Sequence, residues 1–380
     1  MPATVLLAIS LTDFIWLVVG LFIMFSVLSI VVMSMIWLER KLLGRLQLRL
    51  GPTRTGPMGL LQPVADAVKL ILKEDIIPAS SEKAIFWVAP IIVVISAFMI
   101  WVTIPGTQSA VIQNLDMGLF YIIAFSVIGI LGLVLAGWGS ANKYGVIGGL
   151  RSAAQLISYE IPIIMVVVAV GMLSQSLDLR VIVADQNPLI YGLILPLGLV
   201  IFFISGLAEV GRTPFDIYHA ESEISGGPFV EYSGAHWSVF FLAEYINTFA
   251  IATMITIFFL GGWLGPVLPG IVWFLIKVYG IVLVVFWVRG TFPRLRIDQL
   301  MAFAWKVMVP LAFYTIVITA IYLFYNLPPW TLTCMSLLGL LVVSYFIYQR
   351  VKGPARRVEE IRARQAEQKR NRNVNDGARI

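Results

Sequence analysis

The sequence predicts an all-α, multi-pass membrane protein of about nine transmembrane helices, with one further helix lying in the membrane interface. Three observations predict it. Of the 380 residues, 59% are hydrophobic and only 13% charged, where soluble domains run to about a quarter charged. Nine apolar stretches reach the roughly 20 helical residues needed to cross about 30 Å of hydrocarbon. The basic residues also alternate between connections: segments 39–83, 140–152, 209–236, 289–306 and 350–380 hold 25 of the 27.

The spans fall near 14–38, 84–104, 118–139, 153–174, 189–208, 237–261, 267–288, 307–326 and 329–349, the last two parted by Asn326-Leu327-Pro328-Pro329. The connections on the other side carry Arg180 alone, and Lys277 lies inside a span. Lys and Arg accumulate on the cytoplasmic side, so the N-terminus is expected outside and the C-terminus in the cytoplasm. Residues 1–350 then form one membrane domain, followed by a charged cytoplasmic tail at 351–380. No basic stretch precedes the first span, which is also longer than a cleavable signal.

The first cytoplasmic connection, 39–83, begins Glu39-Arg40-Lys41 and continues through two Gly-Pro turns, Gly51-Pro52 and Gly56-Pro57. Beyond them Gln62, Asp66, Lys69 and Lys73 recur at helical spacing among apolar residues. That segment is too short to span and predicts an amphipathic interfacial helix with its polar face outward. It is either a membrane-surface strut or one wall of a slot admitting a lipid-soluble molecule. Segment 140–152 predicts a tight cytoplasmic connection into a span carrying Glu160.

The fifth and sixth spans enclose the most informative segment. Glu209, Asp216, Glu221, Glu223 and Glu231 crowd into it, and Arg212 is its only Lys or Arg. Desolvation and mutual repulsion make so many ionised carboxylates beside a bilayer costly. With Glu160, Glu244 and Lys277 inside spans, they point to a buried polar route for protons or cations. The loop 289–306 adds Arg289 and Arg294 beside aromatic residues.

Composition also excludes. One cysteine, Cys334, and two histidines, His219 and His236, cannot ligate an iron–sulfur cluster or haem within this chain. Its glycines form no nucleotide-binding fingerprint. The pI near 9.4 reflects membrane orientation and contact with lipid headgroups, not nucleic-acid binding. No cofactor is expected on this chain, and any redox group sits on a partner.

Several stretches then become recognisable together. They include Glu39-Arg40-Lys41, Gln47-Leu48-Arg49-Leu50-Gly51-Pro52, and Gly59-Leu60-Leu61-Gln62-Pro63-Val64-Ala65-Asp66. Leu150-Arg151-Ser152 through Ser158-Tyr159-Glu160, Arg212-Thr213-Pro214-Phe215-Asp216, Ala243-Glu244-Tyr245 and Phe292-Pro293-Arg294-Leu295-Arg296 follow in order. Along residues 14–350 the chain resembles the H subunit of bacterial NADH-quinone oxidoreductase, the counterpart of mitochondrial NADH dehydrogenase subunit 1 in respiratory complex I.

That resemblance implies a membrane subunit of a proton-translocating complex, with FMN and iron–sulfur clusters on its partner subunits and quinone as substrate. By matching position, Glu39, Arg40, Gln47, Arg49, Asp66, Lys69, Arg289 and Arg294 would line the quinone channel and its junction. Glu160, Glu209, Asp216, Glu221, Glu223, Glu231 and Glu244 would couple quinone reduction to ion pumping, and the residue reading adds Lys277. Position 219 departs from the family by carrying histidine where an acid is usual. The expected location is a bacterial or archaeal cytoplasmic membrane, with an organelle inner membrane the alternative. Two other readings remain: the membrane anchor of a related membrane-bound hydrogenase, and a stand-alone ion transporter. The Gly-Pro and Leu-Leu-Gln-Pro matches favour the quinone branch over the first, and the lack of an internal repeat weighs against the second.

Overall fold

The apolar stretches become helices because a chain in hydrocarbon must satisfy its backbone polar groups within each segment. A computed structural model describes residues 11–218, 221–345 and 348–349, without the side chains of 11–14, 16–17, 221 and 222. The predicted tail and His219 lie outside the described residues, among which there is no strand.

The helices are α1 (Leu11–Leu46), α2 (Gln62–Leu72), α3 (Lys83–Met99), α4 (Gly118–Gly139), α5 (Lys143–Ser174), α6 (Leu179–Asp185) and α7 (Tyr191–Ile194). After these come α8 (Pro196–Glu209), α9 (Glu221–Ile224), α10 (Gly234–Phe259), α11 (Gly270–Thr291), α12 (Ile297–Phe303) and α13 (Val309–Phe324). A last apolar helix, α14, covers Pro329–Tyr345. Seven described helices are long and apolar enough to cross a membrane, taking α12 and α13 as one, and α8 and α14 are shorter apolar helices.

α10 forms the core. Its apolar character runs all round, with 78% of its most apolar window buried, as expected of a helix enclosed by others. It packs against α1, α2, α3, α8 and α11. Phe22, Ile30, Leu131 and Leu338 point outward from the bundle, where lipid tails are their natural solvent.

Four boundaries differ from expectation. α1 continues to Leu46, so Glu39 and Arg40 are helical residues and the first connection starts later than 39. α5 begins at Lys143, capped by Asn142, whose side chain accepts from the Tyr144 N–H. Residues 143–152 are therefore helix, not a connection. Gly145 and Gly148 lack the Cβ atoms that would strike Ser140 Oγ and Gly227, so this turn can lie close to the end of α4 and to Gly227. The stretch 189–208 is broken at Leu195, because proline disfavours helical backbone in the residue before it. The last long helix starts at Ile297 and carries a π-helical turn, Ala304–Met308.

α2 is helical where a short helix is predicted, but its polar face is not simply outward. Gln62 and Asp66 are half-buried towards α1, whereas Val64, Val68 and Leu72 are exposed. Arg40 of α1 supplies the reason: its guanidinium pairs with Asp66 at 2.5 Å.

Candidate functional site

The acidic segment leaves α8 and returns through α9 to α10, and its backbone is fixed from α5. Gln155 Nε2 donates to Ala208 O at 2.7 Å and to Phe215 O at 2.8 Å. One amide thus holds both sides of the turn that carries Arg212. Leu295 N–H donates to Pro214 O at 3.0 Å, attaching the loop after α11. Gly211 and Gly227 have φ of 68° and 63°, and a Cβ on either would lie within about 2 Å of Tyr218 atoms. Only glycine meets both demands without strain.

This scaffold carries a buried charge quartet. Arg212 is 3% exposed. Its Nη2 lies 3.3 Å from Glu244 Oε1 and its Nη1 3.8 Å from Glu39 Oε2. The guanidinium also rests over the Tyr245 ring, 4.4 Å from its centroid. Tyr245 Oη donates to Glu39 Oε2 at 2.7 Å, and Arg289 pairs with Glu39 Oε1. Two guanidinium and two carboxylate groups sum to zero charge, the arrangement that makes burial of ions tolerable. Burial opposes the charge on Arg212, but Glu244, Tyr245 and Glu39 outweigh it and raise the guanidinium above its ordinary value. Tyr218 is also buried; burial, then Glu244 and Asp216, push its phenol well above the usual range, so it stays protonated.

Beside the quartet lies a cavity of about 450 Å³, bordered by Glu209, Arg212, Asp216, Glu244, Arg289 and Arg294. It extends between α4 and α5 to Ser126, whose Oγ donates to Glu160 Oε1 at 2.9 Å. Among the described residues, Arg212 Nε and Asn247 Oδ1 are buried polar atoms with no hydrogen-bond partner, and both residues border the same space.

The cavity and quartet therefore gather Glu39, Glu209, Asp216, Glu244, Arg289 and Arg294, with Glu160 one hydroxyl away. Other expected site residues stand apart. Glu223 bridges Arg151 of α5 at 2.7 Å and Arg294 at 3.4 Å, more exposed than the quartet. Glu231 accepts from Asn142 Nδ2 at 2.6 Å. Arg40 and Asp66 join α1 to α2, with Gln62 donating to Asp66 at 3.3 Å. Gln47 accepts from Arg49 at 2.7 Å on an exposed turn, and Lys69 is exposed. The Glu221 side chain lies outside the described residues. Lys277 does not join the acids: its ammonium meets backbone carbonyls beyond the far end of α10.

Sequence reasoning missed Gln155, Ser126, Tyr245 and Asn247. None carries a charge that would single it out, and their roles come from helices distant in sequence. Gln155 and Tyr245 left a signal, each lying in a recognised stretch.

A family model described as NADH dehydrogenase matches residues 19–320. The H subunit of NADH-quinone oxidoreductase from Brevibacillus brevis is 47% identical over 317 residues, 82% of this chain and 94% of that one. Its counterpart from Dehalococcoides mccartyi is 45% identical over 311 residues, 82% of this chain and 88% of that one. The Bacillus cereus protein of the same name is 46% identical over 314 residues, 81% and 94% of the two chains.

Proposed function

The chain belongs to the NADH dehydrogenase family as an H subunit of NADH-quinone oxidoreductase, and from that premise we propose that it forms the quinone-access channel and couples quinone reduction to proton pumping. The observation that carries this reading is the continuity of one cavity from the basic pair Arg289 and Arg294 to Glu209, Asp216 and Glu244, and through Ser126 to Glu160.

A quinone headgroup gains negative charge as it is reduced, and fixed guanidinium groups stabilise that charge best in a site with little water. Arg289 and Arg294 supply it. Arg289 is also the partner of Glu39, so a new anion beside Arg289 competes for that guanidinium. Weakening the pair leaves Glu39 leaning on Arg212, and Arg212 in turn holds Glu244. Charge added at one end is thereby felt by acids at the other, and groups so closely coupled titrate together. The cavity has room for several waters, each needing about 10–15 Å³. Such waters would satisfy Arg212 Nε and Asn247 Oδ1 and carry protons between the carboxylates. The quinone tail enters over the exposed apolar side of α2. FMN and the iron–sulfur clusters belong to the partner subunits, and the assembly sits in a bacterial cell membrane.

Glu39→Gln tests the relay. It keeps an oxygen for Tyr245 but removes the charge between Arg212 and Arg289. The complex is expected to assemble on native gels while NADH:quinone reduction falls at least about tenfold, a rise of about 1.4 kcal/mol in the activation barrier. Full quinone reduction with full pumping in that variant would remove Glu39 from the relay.

A further inference from the structure

Lys277 lies apart from the cavity acids, and its surroundings define a different site. The chain leaves α10 through Leu260-Gly261-Gly262-Trp263-Leu264. Gly261 and Gly262 are successive residues with φ of 71° and 47°, and this turn brings alternate carbonyls to one point. Lys277 Nζ donates to Leu260 O at 2.7 Å, Gly262 O at 3.0 Å and Leu264 O at 2.8 Å. An ammonium has three donors and no acceptor, so all three protons are committed to carbonyl oxygens. The turn is itself held in place. Gly262 N–H donates to Thr256 O at 2.8 Å, and Gly261 N–H to the buried Gln186 Oε1 at 2.8 Å. The cage also closes the C-terminal end of α10, where the helix dipole favours a cation.

We propose that residues 260–264 form a carbonyl cage for a small ammonium or monovalent cation, and that Lys277 fills it from within the chain. Lys277 is thus a positioning residue. It fastens α11, about two turns from its start, to the end of α10, and it is not a station on the proton route. An intramembrane lysine is costly unless it finds such partners, and three hydrogen bonds to a charged donor are what make this one tolerable. The cage's ligand class follows from its chemistry: a cation small enough to touch three carbonyls, with up to three N–H donors.

The test uses the full complex in membranes carrying Lys277→Ala or Lys277→Met, grown with methylammonium chloride or with tetramethylammonium chloride at equal ionic strength. The readouts are complex recovered on native gels, thermal inactivation of quinone reduction, and protons pumped per electron. Losing hydrogen bonds to a charged group is expected to cut assembled Lys277→Ala complex by about tenfold or more. Methylammonium should restore it several-fold and tetramethylammonium should not, because the latter has no N–H and is too large. Lys277→Met should remain defective under both salts, since its thioether occupies the space without donating. The restored Lys277→Ala complex should pump as the parent does. Lys277→Met assembling and resisting heat like the parent would overturn the cage, and so would Lys277→Ala indifferent to methylammonium. A restored complex that reduces quinone without pumping would return Lys277 to the proton route.

Discussion

Glu39 shows how much one side chain can be asked to do. It accepts from Tyr245, pairs with Arg289 and faces Arg212, so it is the hinge between the basic end of the cavity and Glu244. Removing one partner of a buried ion pair leaves an uncompensated charge, at a cost of about 3–5 kcal/mol. Glu39→Gln and Glu39→Ala both leave that charge, but only glutamine keeps an oxygen for Tyr245, so Glu39→Ala should lower the thermal inactivation temperature of the complex more than Glu39→Gln, measured by quinone reduction after heating. Gln155 acts without charge. Gln155→Leu leaves the carbonyls of Ala208 and Phe215 only their backbone donors, the N–H groups of Gly211 and Ile217; it loses two hydrogen bonds of about 0.5–1.5 kcal/mol each and should lower that temperature and the yield of assembled complex. Gly227→Ala should be harsher, because its new Cβ would sit 1.9 Å from Tyr218 O. Less assembled complex than Gln155→Leu is expected on native gels.

Among the elements, α5 joins most of the site. Its first turns lie against Gly137 and Gly227, Gln155 fixes the acidic turn, and Glu160 reaches Ser126 on α4. Ser158 and Tyr159 hold the last long helix, accepting from Trp305 Nε1 at 3.1 Å and donating to Leu300 O at 3.0 Å. α2 is a looser element. Its Arg40–Asp66 contact is partly exposed, and exposed pairs contribute at most about 1 kcal/mol. Arg40→Ala should leave assembly intact. If α2 borders the slot for the tail, the variant should raise KM for a long-tailed quinone more than for a short-tailed one; equal KM values would make α2 a strut.

For the molecule as a whole, the legible part was what hydropathy and charge encode. The helical class, the short amphipathic α2 and the acidic segment between two apolar helices could all be read from the chain, and the order of short motifs led to the family. Helix ends were less legible. α1 and α5 carry charged residues within helix, at Glu39 and Arg151, and polar composition reads as loop unless packing is known. The break at Leu195 was written in Pro196, yet apolar residues on both sides masked it. The site was half legible. Its carboxylates and arginines stood out by charge, but their neutral companions did not, and Lys277 shared a charge class with the site while sharing no space with it. Which acids meet is decided by α4, α5, α10 and α11 converging, and no local pattern encodes that.

In the proposed mechanism the cavity acids transmit quinone reduction to pumping. Glu209→Gln and Glu244→Gln, each in an otherwise intact complex in inverted membrane vesicles, put that transmission to the test. Quinone reduction and proton uptake would be followed together, beside electron transfer from NADH to a water-soluble acceptor. Both variants are expected to assemble and to pass electrons to the soluble acceptor, yet to lose coupled quinone reduction by at least about tenfold, about 1.4 kcal/mol. Parent-like quinone reduction and pumping in both variants would contradict it.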